Sequence, residues 1–150
     1  TYVAHGADEA EKVAFWPLLD AVAVSLYPVL GAAGATADWD RAIAKELDRV
    51  EAVARKHAKP IWIAEIGIRS AEGATERPWE SAEERAAPAD MALQADVLRR
   101  WLRALEARGI PDLWVWRWFT DPESGGAEDT DFTVQNKLAE EVIADFWGKG

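Results

Sequence analysis

Four apolar runs of strand length, separated by helical stretches, constrain this chain more than any other feature. Residues 21–27 (AVAVSLY) and 61–66 (IWIAEI) are almost continuously apolar. A strand with one face in water alternates apolar and polar residues. A strand this apolar throughout is buried on both faces, as in a parallel sheet covered by helices. Residues 1–5 and 113–119 (LWVWRWF) supply the outer two runs.

The stretches between them carry helical patterns. Residues 39–56 place Ile43, Leu47, Val50, Val53 and Ala54 on one face, with Asp38 as N-cap. Residues 89–108 repeat Leu93, Val97, Trp101 and Leu105 at four-residue spacing, and Gly109-Ile110-Pro111 ends them in the usual Gly-then-Pro order. Residues 8–14 form a short helical stretch, turned out by Phe15-Trp16-Pro17, and residues 137–147 a final amphipathic helix. Strands beginning near residues 1, 21, 61 and 113, each followed by helical sequence, predict parallel (β/α) units. No linker or repeat divides the 150 residues, so a single domain with its own core is expected over 1–150. A closed (β/α)8 barrel takes roughly 250 residues, so four units predict an α/β half-barrel.

Composition excludes several function classes. A net charge of −10 disfavours a phosphate backbone or an anionic membrane surface as partner. The absence of cysteine removes thiolate metal sites. No His/Asp/Glu cluster has metal-ligand spacing and no glycine-rich phosphate loop is present, so neither metal nor cofactor is expected. No run of 18 apolar residues exists to cross a membrane. Thr1-Tyr2-Val3-Ala4 reads as strand already under way. An upstream segment is therefore expected, and an export signal would lie in it; secretion is compatible with this reading. Nine tryptophans are many for this length. Some must be core, but pyranose rings also pack their flat C–H faces on indoles. Two or three of the nine are expected to serve a ligand.

Residues 61–70 are the most informative. Glu65 places a single carboxylate near the C-terminal end of an apolar strand, where it is costly unless solvated, paired or used. That end of a parallel strand is also where barrel active sites form. Gly67 lets the chain turn directly after it, and Arg69 is near enough to pair with Glu65 or to hold a substrate. On the residues alone, a structural Glu65–Arg69 ion pair and a chemical role stand equal.

Ile63-Ala64-Glu65-Ile66-Gly67-Ile68-Arg69-Ser70 resembles the "TEIGYRS" segment of glycoside hydrolase family 113, retaining β-mannanases built as barrels. Residues 15–30 resemble that family's "FWdaLDaIGvdaYfPL". Pro78-Trp79 with Gln94 resembles its "PW…Q", residues 113–119 its "vflWkWf", and residues 131–140 its "DFtpqgKpAe". The resemblance implies that the four strands are the fifth to eighth of a TIM barrel. It implies retaining cleavage of a β-1,4-mannan or related β-glycan, with Glu65 as nucleophile. The acid/base carboxylate would then sit on the fourth barrel strand, outside this chain. Polymeric or oligomeric sugar is the implied substrate. The open sheet edges and apolar inner face of a half-barrel predict a partner: a second copy, a complementary N-terminal half-barrel on another chain, or residues outside this sequence. The competing expectation is a non-catalytic half-barrel that binds carbohydrate or assembles with another half.

Strand geometry adds supporting residues. Tyr27 ends its strand where its hydroxyl would reach Glu65, keeping the carboxylate ionised and aimed. Trp114, Trp116 and Trp118 share one side of an extended strand, the first two packed deep and Trp118 placed as sugar platform. Trp79, in the loop of residues 70–88, is a second platform. His5, ending the first strand, and Asp121, following the last, are expected on the active face as substrate contacts. The family usually has Asn in place of His5 and Asp in place of Ser25. Trp16, Trp39, Trp101 and Trp147 are assigned to the core, His57 to the surface and Asp20 to the opposite, stability face.

Overall fold

The computed structural model describes residues 1–148. Its strands are β1 (Val3–His5), β2 (Val22–Leu26), β3 (Ile61–Ile66) and β4 (Leu113–Val115). Its helices are α1 (Ala7–Ala10), α2 (Thr36–His57), α3 (Met91–Ala107) and α4 (Leu138–Trp147), with a 3-10 turn over Trp16–Leu18. The strands form one sheet in the order β1-β2-β3-β4, each neighbour parallel. This sequential order is that of a barrel segment. A doubly wound sheet reverses its order at a switch point.

Helices cover one face of the sheet. Val22, Val24, Leu26, Ile63 and Ile66 pack there against Ile43, Leu47 and Val50 of α2 and Val97, Leu98 and Trp101 of α3 in one continuous core. Trp16, Trp39 and Trp101 are buried in it as expected. The indole N–H groups of Trp16 and Trp39 donate to the Ala10 and Ala32 carbonyls, at 2.8 and 3.0 Å, so neither is left unpaired. Trp147 departs from the expectation: on the last turn of α4 it is exposed, against Phe146.

Helix ends differ from the sequence reading in small ways. α2 starts before Asp38, with Ala35 at the cap position. Asp38 lies in the first turn, where a carboxylate suits the helix dipole. Asp90 caps α3 by accepting from the Leu93 N–H at 2.9 Å.

The larger difference is at β4. The run of residues 113–119 leaves the sheet after Val115, although the Trp116 N–H still donates to the Ile66 carbonyl at 2.7 Å. Beyond it the chain is drawn toward residues 131–135. Arg117 pairs with Asp131, and the Phe119 N–H donates to the Gln135 side chain. The deep packing expected of Trp114 and Trp116 is not found. They are 53% and 42% exposed, because they stand on the sheet face that carries no helix among the described residues. Trp114 meets Trp62 edge-on there, ring centres 6.2 Å apart.

Gly67, just past β3, packs its backbone against this departing segment. A Cβ built on it would lie 2.4 Å from the Trp116 carbonyl oxygen. The obstacle is backbone and cannot swing aside. Gly67→Ala is expected to destabilise the fold by about 1–3 kcal/mol, read as a lower urea midpoint. An unchanged midpoint would contradict the close approach.

Candidate active site

A register shift in β3 aims Glu65. Val24 is opposite Ile63, yet the next residue of β2, Ser25, is opposite Glu65. One extra residue, Ala64, is thus accommodated in β3. Without it Glu65 would share the side of Ile63 and enter the helix-covered core. With it, Ile66 enters that core and Glu65 turns to the open face.

Glu65 lines a groove of about 340 Å³ at the C-terminal ends of the strands. The Tyr27 hydroxyl donates to Glu65 Oε2 at 3.1 Å. Burial, and then the Glu65 charge and this hydrogen bond, raise the Tyr27 pKa, so the phenol stays protonated as a fixed donor. Phe132 holds the Tyr27 ring edge-on at 6.1 Å. Trp79 and Trp116 present aromatic surface to the groove and His5 lies at its margin. His5, Tyr27 and Trp79 also border a smaller recess of about 170 Å³ over Ser25.

Of the residues expected at the site, Glu65, Tyr27, Trp79 and His5 are brought together; three others are placed elsewhere. Arg69 neither pairs with Glu65 nor reaches the groove. Its side chain is buried and donates to the Thr130 carbonyl at 2.9 Å and to the Ser81 and Arg85 carbonyls, both at 3.0 Å. It ties together the two loops that wall the groove. Trp118 lies outside the lining, because the chain bends after Val115 and breaks the two-residue alternation; Trp116 takes its place. Asp121 turns into its own loop and accepts the Glu123 N–H at 3.0 Å.

Sequence reasoning missed Ser81, Glu83, Arg117, Asp131 and Phe132, which complete the lining. Asp131 pairs with Arg117 and lies in a loop fixed from behind by Lys137. The buried Lys137 Nζ donates to Ser70 Oγ at 2.8 Å, Asp129 Oδ1 at 2.7 Å and the Asp131 carbonyl at 3.1 Å. A lone Lys at the start of a helical stretch carries no signal of this. Gln94 of α3 donates to the Ile68 and Phe132 carbonyls at 3.0 and 3.2 Å. Glu83 is the other glutamate in the groove. Its own backbone N–H and the Ser81 hydroxyl hold its carboxyl below the usual range, the wrong direction for a proton donor at neutral pH. Among the described residues no three His, Asp or Glu side chains converge as a metal site.

Comparison with known proteins identifies the family and the fold. The model of Glycoside Hydrolase Family 113 matches residues 1–137. A solved family 113 β-1,4-mannanase superposes with a TM-score of 0.80 at 25% identity, over 99% of this chain and 45% of the mannanase. The family 113 β-mannanase AaManA from Alicyclobacillus acidocaldarius, in complex with ManMIm, gives 0.69 at 23% identity, over 98% of this chain and 44% of the other. A β-glucuronidase from Ruminococcus gnavus shares the fold at a TM-score of 0.65 and 17% identity, over 97% of this chain and 25% of the enzyme. No curated protein matches the chain. The chain thus spans less than half the length of the mannanases it resembles, and its four (β/α) units correspond to half of their barrel.

The Tyr27–Glu65 contact has a measurable sign. Because the Glu65 charge raises the Tyr27 pKa, Glu65→Gln is expected to lower it. Only Tyr2 and Tyr27 titrate as phenols, so the assignment by ring-carbon NMR shifts in an alkaline titration is direct. No movement, or a rise, would contradict the contact.

Proposed function

This chain belongs to glycoside hydrolase family 113, and on that premise we propose that it carries the nucleophile side of a retaining β-mannanase-type active site. The observation that carries the reading is Glu65, turned by the register shift into an aromatic-walled groove and held by a protonated tyrosine. In such a reaction a Glu65 carboxylate oxygen attacks the anomeric carbon. The glycosidic oxygen leaves with a proton from a second carboxyl group. That group then takes a proton from water, which releases the sugar from Glu65. The donated Tyr27 hydrogen bond keeps one Glu65 oxygen occupied and orients the other.

The second carboxyl group is proposed to come from outside this chain. Asp131 is engaged by Arg117, and the Glu83 carboxyl is held in its ionised form. Its source would be a complementary half-barrel, and Trp114 and Val3 stand exposed on the face that such a half would cover. A second copy of this chain is the alternative cover, and sedimentation of the isolated chain distinguishes the two. The same exposed face favours the second reading, a half-barrel that binds sugar or assembles without catalysis.

An activated aryl β-mannoside separates these readings, since a good leaving group lessens the need for the second carboxyl. Glu65→Ala is expected to lower its hydrolysis on the order of 10³-fold, the scale of one catalytic group. A fluorinated mannosyl fluoride is expected to label Glu65, located by peptide mass mapping. Undiminished hydrolysis in the variant, or labelling at another residue, would sink the catalytic reading.

A further inference from the structure

Two buried or half-buried arginines flank the groove, and they spend their donors differently. Arg69 is fully enclosed and gives its guanidinium to backbone carbonyls of the wall loops. Arg117 is a wall residue itself, with its side chain 34% exposed. It spends Nη2 on Asp131 and rests its guanidinium over the Phe119 ring, 4.7 Å from the ring centre. Nε is buried without a partner, and Nη1 has no protein partner among the described residues. Nε and Nη2 share the edge that faces Asp131, so Nη1 is the donor left for a ligand, on a side chain already pinned by Asp131 and Phe119.

We propose that Arg117 is a substrate-contacting specificity residue whose Nη1 donates hydrogen bonds to hydroxyl groups of a neutral sugar unit beside Glu65. The proposal rests on the glycosidase reading above. Three observations support it. Asp131, which orients Arg117, sits in the loop that the buried Lys137 anchors, so the orientation is rigidly backed. The aromatic surfaces of Trp116 and Trp79 border the same groove and suit the flat faces of a pyranose. Finally, Glu65, Glu83 and Asp131 share the lining with Arg117. An anionic sugar would face three carboxylates against one guanidinium already paired, so Nη1 suits hydroxyl oxygens and not a uronate.

The test compares wild type, Arg117→Ala and Arg117→Lys. Hydrolysis of an aryl β-mannoside supplies KM and kcat, and titration with β-1,4-mannotriose, followed by tryptophan fluorescence, supplies Kd. Arg117→Ala is expected to raise KM and Kd about tenfold while kcat stays within about threefold, the pattern of contacts made equally in bound substrate and transition state. Arg117→Lys keeps the charge facing Asp131, and circular dichroism checks its fold. It is expected to recover little binding, because an ammonium held by Asp131 has no second nitrogen fixed toward the sugar. Unchanged KM and Kd in Arg117→Ala overturn the proposal and leave the glycosidase reading standing. A fall confined to kcat overturns it likewise, as does a wild-type preference for a β-mannuronide over the mannoside. A wild type that neither hydrolyses nor binds these sugars overturns both.

Discussion

The site depends on one extra residue in β3. Backbone pairing forces a strand to alternate its side chains, and three apolar positions of β3 must meet the helices while one carboxylate must not. A regular strand cannot satisfy both with Ile63 and Glu65 two residues apart. The shift opposite Val24 and Ser25 resolves the conflict locally, and β4 absorbs the same extra residue, pairing Leu113 with Ile63 and Val115 with Ile66. Both sides of the strand gain by it. Ile66 is fully buried, and Glu65 stays half-buried on the open face.

Behind the groove, buried cations do what hydrophobic contacts cannot. The wall loops bury few large apolar side chains, Phe132 and Val134 among them, so Arg69 and Lys137 bind the polar groups that remain. Each cation supplies three or more donors at one point. Leaving either loop unpinned would strand a buried charge, so the walls are fixed or the region is not folded. The same loops bring Phe132 against Tyr27 and Asp131 against Arg117. The geometry at Glu65 thus traces back to two side chains that never touch the groove.

Much of the fold was legible in the chain, because hydrophobic period and helix punctuation are local signals. The bounds of β3 and the buried face of α3 could be read directly from residues 61–66 and from Leu93, Val97, Trp101 and Leu105. Glu65 and Tyr27 were legible too, since both end apolar strands on neighbouring positions in the sheet. Arg69 was misassigned for a physical reason: sequence distance to Glu65 suggested a pair, but a buried guanidinium goes where the most carbonyls converge. Trp118 and Asp121 lie off the groove because β4 stops at Val115, a limit set by long-range contacts to Asp131 and Gln135 that no local pattern carries. Arg117 was hidden for the same reason, embedded in an aromatic run that resembles plain strand.

The Lys137 anchorage also fixes an order of assembly. Its Nζ reaches Ser70 across 67 positions of chain, and Arg69 reaches Thr130 across 61. The strand bearing Glu65 and the tyrosine beside it are therefore made well before the groups that lock them. In a chain synthesised from its N-terminus, β1 to β3 emerge with the groove still unwalled. It acquires its final shape only when the segment before α4 docks. Loop closure over such spans is slow compared with local helix formation. The groove around Glu65 therefore takes its shape from contacts made across more than 60 positions of chain, not from the strand that bears the residue.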